Sequence, residues 1–163
     1  MAVLLERRQV RQVYLVTYSQ ADLSLVPNRQ VFADKVIESF RQAGIQVTQW
    51  ACSMELHQDQ GHHFHMVVKL SGLHRWLAVK NFLTTRYGIV CHFSGIHNNY
   101  YSAWKYVTKE DTGYTQSEGH PNLVNPIDGR QARGALPSTN DAPDTAVLNQ
   151  GGPAKKRKKR MSA

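Results

Sequence analysis

The sequence predicts an α+β domain, and three observations predict it. The stretch Glu55 to Leu70, ELHQDQGHHFHMVVKL, reads as two strands joined by a short polar turn. Val13 to Tyr18, VYLVTY, is a run of β-branched and aromatic residues of strand character. Arg29 to Ala43 instead carries apolar residues at helical spacing. The predicted domain spans residues 10–118, between a flexible N-terminus (1–9) and a disordered C-terminal tail.

Taken in order, Val13–Tyr18 is apolar on both faces, as a central strand is. Ser19 to Asn28 is a loop containing Pro27. Val31, Val36, Ile37 and Phe40 then share one stripe of a helix that Gly44 ends. Ile45 to Met54 is a strand leading into Glu55. Asp59, Gln60 and Gly61 supply turn chemistry. After the turn, Phe64, Met66, Val68 and Leu70 point to one face of a strand, and His63, His65 and Val67 to the other. Ser71-Gly72 breaks the pattern. His74 to Tyr87 is a second helix closed by Gly88, mixing Trp76, Leu77, Phe82 and Leu83 with Lys80. Ile89 to Phe93 is a short strand, and Asn98 and Asn99 can cap a short helix through Glu110.

The alternation leaves two imidazoles on the face opposite the core. Glu55 stands where the preceding strand enters the turn, so a hairpin can bring its carboxylate beside them. Two histidines and a carboxylate on a rigid sheet suit a divalent cation. Tyr106 and Lys109 are three residues apart and share a helix face. A tyrosine hydroxyl, with a reference pKa near ~10, is a poor nucleophile at neutral pH. A neighbouring cation favours the phenolate, and a metal-bound phosphate is a better electrophile. The plainer alternative makes Tyr106 an aromatic anchor and Lys109 a solvated charge. Tyr101 lies five residues before Tyr106, roughly 140° around a helix, so it falls off that face, as does Tyr100. His57 and His62 read as solvated residues of the turn. His92 and His97 read as packing or surface groups. Lys69, Arg75, Lys80, Arg86 and Lys105 are candidates for phosphate contacts in a groove.

Three motifs, in this order, resemble those of the HUH-type replication-initiator endonucleases. The nearest resemblance is to the Rep nuclease domains of small circular single-stranded DNA viruses, such as geminiviruses and circoviruses, and of related eukaryotic mobile elements. The first motif is YLVTYS, where Ser19 replaces the usual proline; the second is His63-Phe64-His65, preceded across a hairpin by Glu55; the third is Tyr106-Val107-Thr108-Lys109, followed by EDTG. The match covers residues 10–115. It implies a five-stranded antiparallel sheet flanked by helices, with the tyrosine helix packed over the histidines. It implies Mg²⁺ or Mn²⁺ held by Glu55, His63 and His65, and a single catalytic tyrosine, Tyr106, assisted by Lys109. The implied reaction nicks single-stranded DNA, at a stem-loop origin in such relatives, through a 5′-phosphotyrosine link. A 3′-hydroxyl later rejoins the strand, in rolling-circle replication or transposition. The viral relatives continue into a superfamily-three helicase domain that this sequence lacks. Unwinding would then fall to host replication and helicase proteins or another polypeptide, unless the sequence is a fragment.

Two other functions fit the residues. One is a catalytically silent module of the same fold that binds single-stranded nucleic acid. An RNA-binding sheet of the RRM kind is disfavoured, because no stretch matches its aromatic-rich signature. The other is a zinc hydrolase using Glu55, His63 and His65, which leaves Tyr106 and Lys109 without a role.

Charge sits unevenly in the 163 residues: the net is +8, and six of the basic residues lie in Lys155 to Arg160. Residues 1–154 carry 14 basic and 12 acidic residues, so a nucleic-acid role must rest on a site rather than on bulk charge. Residues 119–154 hold five of the six prolines and read as a disordered linker. The run PAKKRKKR within it and the 155–163 tail reads as a nuclear localisation signal, which implies a nuclear import receptor and a nuclear location; its alternative is a nonspecific nucleic-acid-binding tail. Cys52 and Cys91 form no CxxC, which points to free buried thiols in a reducing compartment. Glu6, Arg7, Arg8 and Arg11 leave no apolar signal core, no run suits a membrane span, and no Walker-type glycine loop is present.

Overall fold

The computed structural model describes residues 8–126. The 155–163 basic tail, most of the 119–154 segment and residues 1–7 lie outside the described residues. Strand β1 (Arg11–Tyr18), helix α1 (Arg29–Gln42), β2 (Val47–His57), β3 (Gly61–His74), α2 (Leu77–Tyr87), β4 (His92–Ser94), α3 (Tyr100–Thr108) and β5 (Thr115–Gln116) follow in that order. The strands form one sheet in the order β4-β1-β3-β2-β5, and every neighbouring pair is antiparallel. Among the described residues the architecture is therefore α+β, with a five-stranded antiparallel sheet and three helices.

Period-two alternation divides the sheet into two unlike faces. On one, Tyr14, Val16, Tyr18, Cys52, Phe64, Met66, Val68 and Leu70 pack with Phe32, Val36 and Phe40 of α1 and Val79 and Leu83 of α2. Each fully buried side chain of this size contributes about 1.5–3 kcal/mol of transfer free energy. Phe32 stacks on both Tyr18 and Phe64, with centroids 6.0 and 5.3 Å away. On the opposite face α3 lies across the central strands and buries Tyr100, Ala103 and Val107. Ala51 and Val67 are buried there, directly paired across β2 and β3.

The helix ends follow their local chemistry. Asn28 caps α1 by accepting from the Val31 N–H, and Asn99 caps α3 by accepting from the Ser102 N–H. Gly88 ends α2 in the left-handed conformation, φ 71°, which only glycine adopts at little cost.

Several boundaries differ from the sequence reading. The hairpin turn is Gln58–Gln60, closed by the Gln60 N–H on the His57 carbonyl, and Gly61, at φ 73° and paired with His57, opens the next strand. Strand β2 therefore runs on to His57. Ser71-Gly72 does not end β3: between the pairs Val13↔Lys69 and Arg11↔His74 the register shifts, and β3 takes up the extra residues as a bulge. Because His74 stays paired, α2 starts at Leu77. Ile89 belongs to the α2 cap, donating to the Leu83 carbonyl, so β4 begins at His92.

Residues 117–121 pack against the domain. The Ser117 N–H donates to the Trp50 carbonyl, and Tyr100 Oη lies 2.8 Å from His120 Nε2. No helix among the described residues is long and apolar enough to cross a membrane.

Candidate metal and nucleophile site

The site is built on the end of the β2–β3 hairpin. Glu55 pairs across the strands with His63, Ser53 with His65, and His65 in turn with Thr17 of β1. Side chains two apart on β2 share a face, so Glu55 and His57 both join the histidines of β3 on the side away from the aromatic core.

The structure brings three imidazoles together. One ring nitrogen each from His57, His63 and His65 lies within 4.8 Å of the others. The Glu55 carboxylate oxygen Oε1 stands 3.4 Å from His57 Nε2 and 3.6 Å from His65 Nε2. Donors about 2.1 Å from a tetrahedral ion lie roughly 3.4 Å from one another, so this spacing fits a metal held between them. His63 supplies a further sign. It is 7% exposed, and its Nε2 is buried with no hydrogen-bond partner, a costly state for a polar atom with no ligand.

The surroundings favour the neutral, ligating form of the His65 imidazole. Burial holds the His65 pKa below its ordinary value. The Glu55 carboxylate pulls it back up, while His63 and His57 add to the lowering. Thr17 Oγ1 lies 3.3 Å from His65 Nδ1 and so fixes the ring, leaving Nε2 toward Glu55.

Tyr106 meets this cluster from α3. Its ring stands edge-on to that of His65, with centroids 6.1 Å apart, and tilts against His97 at 5.7 Å. Tyr106 is 43% exposed, although it adjoins the fully buried Val107. Lys109 places its Nζ 5.2 Å from the Tyr106 ring centroid. Glu55, His57, Tyr106, Lys109 and Asp111 line one open pocket of about 610 Å³. Tyr100 is buried and bonded to His120, and burial drives its hydroxyl pKa well up. Tyr101 packs against Trp104. Neither lines the pocket that Tyr106 lines.

Sequence reasoning missed two members. His57 was read as a turn residue, but it ends β2 two residues after Glu55; the period-two rule applied from Glu55 is the signal that finds it. Asp111 received no role, and its chemistry comes from residues distant in sequence. It accepts two bonds from Arg29, at 2.6 and 2.9 Å, and one from the Met54 N–H at 2.9 Å. Of the groove candidates, Lys69 lines a second pocket with Arg11, His97 and Asn99. Lys80 and Arg86 instead lie over the rings of Trp76 and Tyr87 in and beside α2. Cys52 and Cys91 are free and buried; burial raises both thiols, Cys91 to about 12.

Comparison with family models and with curated proteins found no match.

Proposed function

We propose that this domain is an HUH-type endonuclease that cuts and rejoins single-stranded DNA through Tyr106. One observation carries the reading: the exposed Tyr106 shares a pocket with Lys109, the Glu55 carboxylate and His57, and its ring meets His65, a second member of the imidazole cluster.

The chemistry follows from the residues. The Tyr106 oxygen forms a bond to the scissile phosphorus, and the bond from phosphorus to the 3′-oxygen breaks. The phenolic proton is balanced by the proton that the departing 3′-hydroxyl gains. The 5′ end stays on the tyrosine as a phosphodiester, so bond energy is kept and a later 3′-hydroxyl can reverse the step without ATP. Lys109 offsets the negative charge that develops on the attacking oxygen and the phosphate. Glu55, His57, His63 and His65 would hold the cation, Mn²⁺ or Mg²⁺, which supplies Lewis acidity to the phosphate. Imidazole donors favour Mn²⁺ of the two. Single-stranded DNA is the proposed partner, with host replication proteins supplying unwinding. The basic run at 155–160 supports import into the nucleus.

The three imidazoles also favour a second reading, a hydrolytic zinc centre acting through a bound water. One experiment separates the two. The protein is mixed with a pool of 3′-labelled single-stranded oligonucleotides and Mn²⁺, denatured and run on a gel. The nuclease reading expects a slow labelled protein band that is absent with Tyr106→Phe and with EDTA. A hydrolase releases product and leaves no band. A band that survives Tyr106→Phe would sink the assignment of the nucleophile.

A further inference from the structure

Asp111 joins the two walls of the candidate site. One wall is β2 at Met54 to His57. The other is the end of α3 and the turn after it, Tyr106 to Thr112. Strand β5 pairs with β2 at Ala51 and Cys52, so the edge of β2 lies open beyond Cys52. The Asp111 carboxylate takes the place of a strand there. Its Oδ2 accepts from the Met54 N–H at 2.9 Å and from Arg29 Nε at 2.6 Å. Its Oδ1 accepts from Arg29 Nη2 at 2.9 Å and from the Gly113 N–H at 2.9 Å.

The carboxylate thus carries four charge-assisted bonds to three separate segments, and its side chain is 9% exposed. Arg29 is the first residue of α1, so the bidentate pair also fastens the turn to the aromatic core layer. Gly113 leaves room for this pair: a Cβ on it would lie 3.2 Å from Arg29 Nη2. Met54 directly precedes Glu55, and Asp111 follows Lys109 by two residues. Any shift of this carboxylate moves the nucleophile wall against the metal wall.

We infer that Asp111, held by Arg29, is a positioning residue that sets the separation between the tyrosine helix and the strand carrying Glu55 and His57. Both of its carboxylate oxygens are taken up by these bonds, so its role is to position rather than to react. Its catalytic meaning rests on the nuclease reading, whereas its mechanical role does not. Misplacement of reacting groups by about 1 Å can cost roughly 100-fold in rate. A loosened latch therefore lowers the rate of adduct formation while the surface that binds DNA remains.

The test uses the full chain with Asp111→Asn, Asp111→Ala and Arg29→Lys, and an oligonucleotide that the wild type cuts. Single-turnover adduct formation is expected to fall roughly 10- to 100-fold in Asp111→Ala, with Kd for the oligonucleotide within about twofold. The Mn²⁺ concentration for half-maximal rate is expected to stay within about twofold, because Asp111 is not a ligand. Arg29→Lys, which keeps the charge but not the fork, is expected to fall between wild type and Asp111→Ala. A folded Asp111→Ala with wild-type rate overturns the inference, as does a rate that falls only in step with DNA binding. Should Asp111→Ala not fold, Gly113→Ala, which crowds the pair while keeping both partners, is read by the same criteria. Amide hydrogen exchange at Met54 gives a separate readout. If the wild type forms no adduct, the nuclease reading fails; faster Met54 exchange in Asp111→Ala then still supports the latch, and unchanged protection overturns it.

Discussion

The Tyr106 ring stands edge-on to the His65 imidazole, 6.1 Å between centroids and 87° between planes. One residue comes from a short helix and the other from a central strand. They meet because the helix stripe Tyr100, Ala103 and Val107 docks on the face of the sheet that β3 leaves to its histidines. Val107 anchors the helix there, and its neighbour Tyr106 is left at the open edge. Tyr106→Phe keeps this packing and removes only the hydroxyl. It is expected to abolish the covalent adduct while changing stability by less than about 0.5 kcal/mol, as a substitution at an exposed position does. Tyr101→Phe is expected to leave the adduct in place. Denaturant melts and the adduct gel check both.

His57 is the most exposed of the three clustered imidazoles, with 48% side-chain exposure against 12% for His65. Removing it therefore costs little packing and tests metal binding alone. His57→Ala is expected to weaken Co²⁺ or Mn²⁺ binding by roughly tenfold or more, a loss of about 1.4 kcal/mol or greater. Binding of Mg²⁺, which prefers oxygen donors, is expected to change less. Titration calorimetry of the wild type and His57→Ala with Mn²⁺ and with Mg²⁺ measures this. Equal losses for the two ions would mean that His57 acts only through Glu55.

The sheet face that carries the site was legible because a strand repeats every two residues. His63-Phe64-His65 announces its two faces without any knowledge of the fold, and Phe64 and the two imidazoles take opposite faces as that period demands. The hairpin turn was misplaced by one residue because Asp59, Gln60 and Gly61 all suit turns, while the glycine is the first residue of β3, paired with His57. Ending the strand at Met54, three residues short of its true end, hid His57. Ser71-Gly72 misled for a related reason: glycine and serine mark turns on average, yet a bulge in a long hairpin also takes them. Asp111 was out of reach. Its partners Arg29 and Met54 are 82 and 57 residues away, and no local pattern encodes such a meeting.

Asn99 accepts the Ser102 N–H at 2.8 Å and so holds the first turn of the helix that carries Tyr106. Without it, one of the helix's four free N–H groups returns to water. Asn99→Ala is expected to cost about 1 kcal/mol of stability. Tyr106 lies in the last turn, beyond the fraying end, and Val107 still docks. The adduct rate is therefore expected to stay within about twofold. A much larger loss would mean that the helix moves as a rigid body when its start is freed.

Asp111 also ties the stability of the domain to pH. Burial alone would raise its pKa. The bonds from Arg29, the Met54 N–H and the Gly113 N–H outweigh that and hold it below the ordinary carboxylate value. Arg29, made still harder to deprotonate by this bond, stays charged across the acid range, and the nearby buried Cys52 thiol stays neutral. The unfolded chain therefore takes up a proton at Asp111 before the folded one does. The stabilisation is fully present above the unfolded value near ~3.9, and it is lost as pH falls through the lower folded value. Asp22 and Glu38 are likewise lowered, but both are exposed and bond locally, so they respond the same way in wild type and variant. Asp111→Asn is expected to cost about 2 kcal/mol at pH 7, the scale of hydrogen bonds to charged partners. The gap between wild type and variant is expected to narrow as pH falls below the unfolded value near ~3.9, in thermal melts across the acid range. A gap that stays constant would assign the loss at pH 7 to the neutral hydrogen bonds rather than to the charge on Asp111.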